Sequence, residues 1–493
     1  MIPRIALSPS LTISRVLTGL WQVADMERDG RTVDLDAMAA AMDPYAAAGL
    51  TTFDMADHYG SAEDVVGRYH RRPGAHAVEL LTKWVPEPGP LTRDAVRTAV
   101  QRSLDRMALD RLPLLQFHAW QYANPAWLDA LFWITELREE GLVGNIGLTN
   151  FDTAHLRIAL TSGIPIVSNQ VCFSLLDQRA AGAMSALCLS HGVKLLAFGT
   201  VAGGLLSERW LGKPDPAALQ TWSQMKYRRF VDEAGGWEAL QQLLRVLDVV
   251  ARRHGVSIAN VACRYMLEQP AVGGIIIGAR LGESAHVEDT VRLATFALDD
   301  LSRSEIAAAV QRLRRIPGDC GDEYRKPPFL TASGDLSHHL QSFPAPFATR
   351  QQRDRVLALS GTPWEEIAGF ARAVRVGDRV LVSGTTATHG SRALGANDPA
   401  AQMHAIIDKV EGAIVSLGGT LDDVVRTRIY VRDPAQWEPI SRAHGERFGH
   451  IQPANTLVHA PPIGDEYLVE MDAEAVVGSP PLAPATTDPQ LLA

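Results

Sequence analysis

Eight short β-rich runs recur between Arg15 and Gly278, each separated from the next by a longer stretch, and this alternation restricts the fold more than any other feature. The runs are Arg15–Leu20, Thr51–Asp54, Val78–Lys83, Pro113–His118, Asn145–Asn150, Ile166–Gln170, Val193–Phe198 and Gly273–Gly278. Amphipathic helical patterns such as Leu35–Ala48, Arg93–Met107, Pro125–Glu140 and Glu238–His254 lie between them. Parallel strands need long crossovers, so the alternation implies βαβ units. Eight such units over roughly 250–300 residues predict an α/β fold, a (β/α)8 TIM barrel. A doubly wound sheet shares the alternation, but no Gly-x-Gly-x-x-Gly follows the first run.

The barrel pattern takes up residues 1–315. Ile316–Ala348 contains PG, GD, KPP, SGD and PAP, which suits neither helix nor strand, and 316–353 reads as a linker. Beyond it, Ala373–Val376 and Arg379–Ser383 flank Gly377-Asp378, a two-residue hairpin signal. A helix follows from about Pro399 to Leu417, closed by Gly418-Gly419. Asp423–Val431 reads as a strand, Trp437–Phe448 as a helix, and Asn455–His459 and Tyr467–Val477 as two further strands. The order ββαβαββ predicts a smaller α+β domain over 354–478, with helices on one sheet face. The Pro-rich end, 479–493, is expected to be disordered.

Composition removes several function classes. Hydrophobic residues make up 46% and charged residues 21%, as in a folded protein. Lys+Arg 47 against Asp+Glu 56 gives −9, with no long basic run, so no nucleic-acid partner is expected. Cys172, Cys188, Cys263 and Cys320 form no C-x-x-C pair, which suits a reducing compartment. The N-terminal residues lack the apolar core of a signal peptide, and the densest apolar run, Ala271–Ala279, is too short to span a membrane. A cytoplasmic protein without membrane partners is the expectation.

In a barrel, the C-terminal strand ends carry the chemistry. Read in order, those ends are Asp54, Lys83, His118, Thr149-Asn150, Gln170 and Phe198, with Tyr59 five residues past Asp54. A carboxylate, an ammonium, a phenol and an imidazole at one mouth suit carbonyl reduction. Hydride addition turns the carbonyl oxygen into an alkoxide that must be protonated. Tyr59 is the candidate acid, but a phenol titrates near pH 10 and needs tuning. Lys83 favours the phenolate, Asp54 holds Lys83, and His118 directs the carbonyl oxygen. No metal is called for. Trp21 and Trp120 follow strand ends and either line a substrate pocket or fill core. Ser61-x-x-Asp64 reads as a helix capping box. Lys213–Trp237 is either a flap over the cofactor or a solvated insertion.

The segments FDMADHYGSAEDVVGR, LLTKW, QFHAW and NIGLTNF resemble the aldo-keto reductase superfamily over about residues 10–315. The resemblance implies an NADPH-dependent enzyme whose catalytic tetrad is Asp54, Tyr59, Lys83 and His118. It implies that Thr149, Asn150 and Gln170 bind the nicotinamide carboxamide and that Phe198 stacks on the ring. The cofactor tail is expected across IIIGARLGESAHVEDTVRL, where Gly278 allows close approach and Arg280 suits a 2′-phosphate. Ser284 is expected to cap the next helix near a phosphate, and Asp289 stands where the family has an Asn toward the adenine.

Residues from about Ser360 to Val477 resemble the RidA/YjgF family through GTPWEEIAGFARAVRVGDRVLVSGTT, DVVRTRIYVRD, PANTL and YLVEMDAEAV. The resemblance implies a chorismate-mutase-like trimer that hydrolyses imines and enamines, with an Arg after Pro-Ala clamping the substrate carboxylate. This chain has Asn455 there, and an amide does not replace a cationic clamp. Glu470 matches a site carboxylate of the family. Arg426 and Arg428 offer either a rerouted clamp or a solvated face. The domain is expected to drive homo-oligomerisation, as a trimer, or to bind a ligand.

The whole chain therefore reads as an NADP-dependent oxidoreductase acting on a small carbonyl or alcohol, fused to a RidA-like module. Two rival readings are a non-catalytic NADP-binding sensor or scaffold, and a bifunctional enzyme handling an imine or enamine and its carbonyl product.

Overall fold

The computed structural model describes residues 2–284, 286–331 and 343–478. It divides into two compact units, Met1–Gln121 with Ala126–Pro344, and Tyr122–Pro125 with Ala345–Ala493.

The first unit is a closed parallel barrel of eight strands preceded by a hairpin. The hairpin is β1 (Arg4–Ser8) and β2 (Leu11–Ser14). The barrel strands are β3 (Val16–Gly19), β4 (Thr52–Asp54), β5 (Glu79–Trp84), β6 (Leu114–Phe117), β7 (Ile146–Thr149), β8 (Ile166–Cys172), β9 (Lys194–Phe198) and β10 (Val272–Gly278). Each corresponds to one expected run. Leu7, Leu11 and Ile13 of the hairpin pack with Leu17, Leu81, Leu114, Leu196 and Ile276 of the strands. The hairpin feeds directly into β3, so this cluster seals the end at which the strands begin. Arg15 fastens the closing seam by donating to the carbonyls of Leu267, Val272 and Gly273 at 2.6, 2.9 and 3.1 Å.

Local chemistry explains most helix limits. Arg93–Met107 starts at Thr92, whose hydroxyl accepts from Ala95 N. Gly236–His254 ends in Arg252, Arg253 and His254, favourable at the negative end of a helix dipole, and Gly255 takes the left-handed conformation that stops it. The single helix expected over Leu35–Ala48 is instead two, Leu35–Ala40 and Asp43–Ala47. Pro44 has no N–H to continue the first helix, and it opens the second.

The expected linker is corrected at both ends. Asp322–Arg325 is a short helix of the barrel unit, with Cys320, Asp322, Glu323 and Tyr324 buried. Arg179 holds it, bonding Asp177 at 2.6 Å and Glu323 at 2.8 Å. Arg325 donates to Ala119 O at 3.0 Å and to Asn150 O at 2.7 Å. At the far end, Ala348–Gln352 is a strand. The disordered tail expected over 479–493 lies outside the described residues.

The second unit is one seven-stranded sheet in the order β11-β12-β13-β14-β19-β17-β18, with a separate two-stranded ribbon. Its strands are β11 (Ala348–Gln352), β12 (Arg355–Leu359), β13 (Ala373–Val376), β14 (Arg379–Thr386), the ribbon β15 (Thr388–His389) and β16 (Arg392–Ala393), then β17 (Val424–Val431), β18 (Ala454–His459) and β19 (Val469–Val476). The hairpin at Gly377-Asp378 forms, pairing Val376 with Arg379. Neighbours run antiparallel except β17 and β18. The first two strands were not expected. β11 is exposed along its whole length and carries no alternation of apolar residues. The helix Pro399–Ser416 packs on β14 and β19, capped by Asp398 accepting from Ala401 N.

Arg179→Met tests the anchoring of the Asp322–Arg325 helix. It strands two buried carboxylates, a change of about 3–5 kcal/mol in stability. A lowered urea midpoint is expected, and an unchanged midpoint would show that the arginine does not hold this segment.

Candidate active site

The C-terminal strand ends open into one cleft. Asp54, Tyr59, Lys83, His118, Thr149, Asn150, Gln170, Phe198, Gly278, Trp21 and Trp120 all line it. At the base, Lys83 Nζ donates to Asp54 Oδ2 at 2.6 Å and to Met55 O at 2.7 Å. Burial pushes the Lys83 ammonium down in pKa, and the Asp54 carboxylate opposes that shift. Lys83 Nζ lies 4.8 Å from the centre of the Tyr59 ring.

His118 is buried, and burial, reinforced by the Arg325 charge, holds its imidazole well below the usual range. It is therefore neutral at pH 7. Its Nδ1 lies 3.3 Å from Thr149 O. A carbonyl only accepts, so this contact is a hydrogen bond when Nδ1 carries the proton. Trp120 stands edge-on to the imidazole, ring centres 4.5 Å apart, and Trp120 Nε1 is anchored to Pro86 O at 2.7 Å. Asn150, just past β7, takes the left-handed region, φ 58°, which Asn tolerates better than most side chains.

Four polar atoms of cleft residues are buried with no hydrogen bond among the described residues: His118 Nε2, Asn150 Oδ1, Trp21 Nε1 and Gln22 Oε1. An acceptor on Asn150 beside Gln170, with the Phe198 ring, is a donor and acceptor set that fits a nicotinamide carboxamide. A Cβ on Gly278 would meet the end of the Gln22 side chain, which would have to shift to make room.

The other expected tail contacts do not line the cleft. Arg280 donates to Asp25 at 2.7 Å and to Glu283 at 2.6 Å. Ser284 is not a helix cap. The next helix, Val287–Val291, begins after His286, and Ser284 N instead closes a turn on Arg280 O. Asp289 accepts from Ser257 Oγ at 3.0 Å and Asn260 Nδ2 at 2.8 Å, so both its oxygens brace the start of the helix Ile258–Leu267. The capping box at Ser61 and Asp64 does not form. Ser61 N donates to Glu27 at 2.9 Å, and its hydroxyl turns to the same carboxylate.

Residues in and beneath the cleft escaped the sequence reading, among them Gln116, Lys226 and Tyr324. Gln116 donates to Asp54 Oδ1 at 2.9 Å, and it sits two residues before His118, hence on the same side of β6. That spacing was the available signal. Lys226, on the helix Trp222–Glu233, donates to Tyr324 Oη at 2.6 Å and lies 5.3 Å from the Phe198 ring centre. Lys226 and Tyr227 line the cleft, so this part of Lys213–Trp237 is wall and not a solvated insertion. Tyr324 comes from the segment read as linker.

In the second unit Asn455 is exposed on β18 and donates to Thr427 Oγ1 at 2.9 Å. Glu470 lies on β19, and burial raises its pKa against the pull of Arg372. Arg428 is held by Asp472 at 2.9 Å. Neither site residue has a cationic clamp in the position the sequence comparison calls for.

Comparison with known proteins agrees with the two units. The model of the Aldo/keto reductase family matches residues 15–311, and that described as Endoribonuclease L-PSP matches 362–477. An aldo-keto reductase of Mycobacterium sp. (strain KMS) is 33% identical over 45% of this chain and 78% of its own. Among solved structures, holo aldo-keto reductase AKR11C1 from Bacillus halodurans is 21% identical, covering 63% of this chain and 96% of its own, with a TM-score of 0.48. Rv2704 of Mycobacterium tuberculosis, a member of the YjgF/YER057c/UK114 family, is 39% identical over 25% of this chain and 99% of its own, with a TM-score of 0.23. No helix among the described residues is long and apolar enough to cross a membrane. The chain belongs to the aldo/keto reductase family over residues 15–311, an oxidoreductase of that type joined to a RidA-like unit over residues 362–477.

Proposed function

We propose that the barrel is an NADPH-dependent reductase that converts an aldehyde or ketone to its alcohol, or runs the reverse, with Tyr59 as general acid. The observation that carries this reading is the buried Asp54–Lys83 pair under the Tyr59 ring, in one cleft with the unpartnered Nε2 of His118. Hydride to the carbonyl carbon is the chemistry that a reduced nicotinamide supplies when bound. The protein must then deliver a proton to the substrate oxygen. Lys83 favours loss of that proton from Tyr59 by stabilising the phenolate, and Asp54 keeps the ammonium in place.

His118 serves either direction through its tautomer. With the proton on Nδ1 it bonds Thr149 O, and Nε2 accepts from an alcohol hydroxyl. The 3.3 Å contact is long enough to exchange, and the other tautomer donates from Nε2 to a carbonyl oxygen. Trp21 and Trp120 both line the cleft and suit a substrate with an apolar part.

Arg280 supports NADP over NAD. Asp25 and Glu283 hold its guanidinium near the end of β10, and a 2′-phosphate displaces one of these carboxylates as its partner. The RidA-like unit is an oligomerisation or ligand-binding module, because Asn455 lacks the charge to clamp a substrate carboxylate. On the sheet face away from the helices, Leu381 and Val458 are 43% and 39% exposed, and such residues suit a homotrimer interface.

Two experiments test these readings. In a panel of aldehydes and ketones followed by NADPH oxidation, Tyr59→Phe should lower kcat at least about 100-fold, and Arg280→Met should narrow the preference for NADPH over NADH. Wild-type turnover in Tyr59→Phe would remove the assigned acid. Size-exclusion chromatography with light scattering should give the mass of three 53.5 kDa chains, and a single-chain mass would overturn the trimer.

A further inference from the structure

Asp54 Oδ1 accepts two amide hydrogen bonds, from Gln116 Nε2 at 2.9 Å and Gln170 Nε2 at 2.8 Å. Gln170 Nε2 also donates to Gln116 Oε1 at 2.8 Å. All three side chains are buried. A terminal amide can be turned over with little change of shape, so its partners decide which end points where. Asp54 and Gln116 share that decision for Gln170. The Asp54 carboxylate, paired with Lys83, only accepts, so both glutamines must aim their NH2 groups at it.

Gln116 Oε1 then points at Gln170 and asks for a donor as well. Gln170 has two N–H groups, and these two acceptors use both. Its remaining polar atom, Oε1, can only accept. Gln170 lines the cleft, and so does Asn150, whose Oδ1 is buried with no partner among the described residues.

We propose that Gln116 is a positioning residue that fixes Gln170 as a hydrogen-bond acceptor, so that the site reads the N–H of the cofactor carboxamide. This rests on the reductase reading and adds to it a selectivity built beneath the binding surface. Gln116 touches Asp54 as well, so one side chain links recognition of the carboxamide to the pair under Tyr59. Without Gln116, Gln170 keeps a single demand for a donor and can turn to offer N–H toward the cleft.

The test compares binding of NADPH with its reduced 3-acetylpyridine analogue, which carries a methyl in place of the amide NH2. Quenching of tryptophan fluorescence gives both dissociation constants without turnover. Wild type should bind NADPH about tenfold more tightly than the analogue, the scale of one hydrogen bond denied to a buried acceptor. Gln116→Leu should reduce that ratio to about threefold or less, because the turned amide donates to the acetyl oxygen. A ratio near one in wild type, or an unchanged ratio in Gln116→Leu, overturns the inference. If the leucine variant fails to fold, Gln116→Met, of the same chain length, takes its place and its ratio is read against wild type in the same way. Failure of wild type to bind any nicotinamide dinucleotide sinks the reductase reading too. Binding with an unmoved ratio, while Tyr59→Phe loses turnover, sinks only this inference.

Discussion

The Lys83–Asp54 ion pair is the interaction on which the rest of the barrel's chemistry depends. Both charges are buried, and taking two ions out of water costs several kcal/mol each before they meet. A 2.6 Å contact, the Met55 carbonyl and two glutamine amides offset that cost. The partners come from four strands: Asp54 on β4, Lys83 on β5, Gln116 on β6 and Gln170 on β8. Lys83 and Gln116 are paired in register, as are Asp54 and Leu81. A slip of one residue on any of these strands turns its side chain to the opposite face. The ion pair therefore requires the closed barrel, and the barrel's register is specified in part by the penalty for losing the pair.

Much of this was legible because strand ends repeat. Five of the eight runs end in a polar side chain, and counting runs brings Asp54, Lys83, His118, Asn150 and Gln170 to one mouth. What stayed hidden depends on contacts that spacing does not encode. Gln116 has the same inward position as His118, yet a glutamine inside an apolar run carries no mark of its partner. Tyr324 and Lys226 arrive from segments whose turn-rich or charged composition resembles surface, and buried partners such as Arg179 for Glu323 lie far off in sequence. β11 was invisible because an exposed edge strand needs no apolar alternation. Short-range signals misled in the other direction: Ser61 and Asp64 have the spacing of a capping box, but the Glu27 carboxylate outcompetes the helix for the serine.

Charge shows a similar division between total and local. The chain carries −9 overall, yet its barrel mouth gathers Lys83, Lys226 and Arg325. Arg280, near the end of β10, is held between two carboxylates. Such pairing keeps a long side chain in one rotamer. The second unit has the opposite arrangement. Arg428 is spent on Asp472, and Asn455 on Thr427, so the places where a cationic clamp would act are occupied by internal partners.

The cleft has a satisfied floor and an unsatisfied rim. Beneath it, Asp54, Gln116, Gln170 and Lys83 bond one another, with both N–H groups of Gln170 used. Above them His118 Nε2, Asn150 Oδ1 and Trp21 Nε1 are buried without partners among the described residues. Each unmet polar group of this kind costs about 1–3 kcal/mol, and a fold with no use for them would replace them by apolar side chains. Their chemistry is mixed: an acceptor on Asn150, a donor on Trp21, and on His118 an atom that donates or accepts according to tautomer. A purely apolar ligand would leave all three unmet. On the function proposed above, a cofactor carboxamide would meet Asn150 with an N–H, and a substrate oxygen changing between carbonyl and hydroxyl would meet His118. The floor must stay rigid for that match to hold, because Gln170 turned over would put a donor where its Oε1 now accepts.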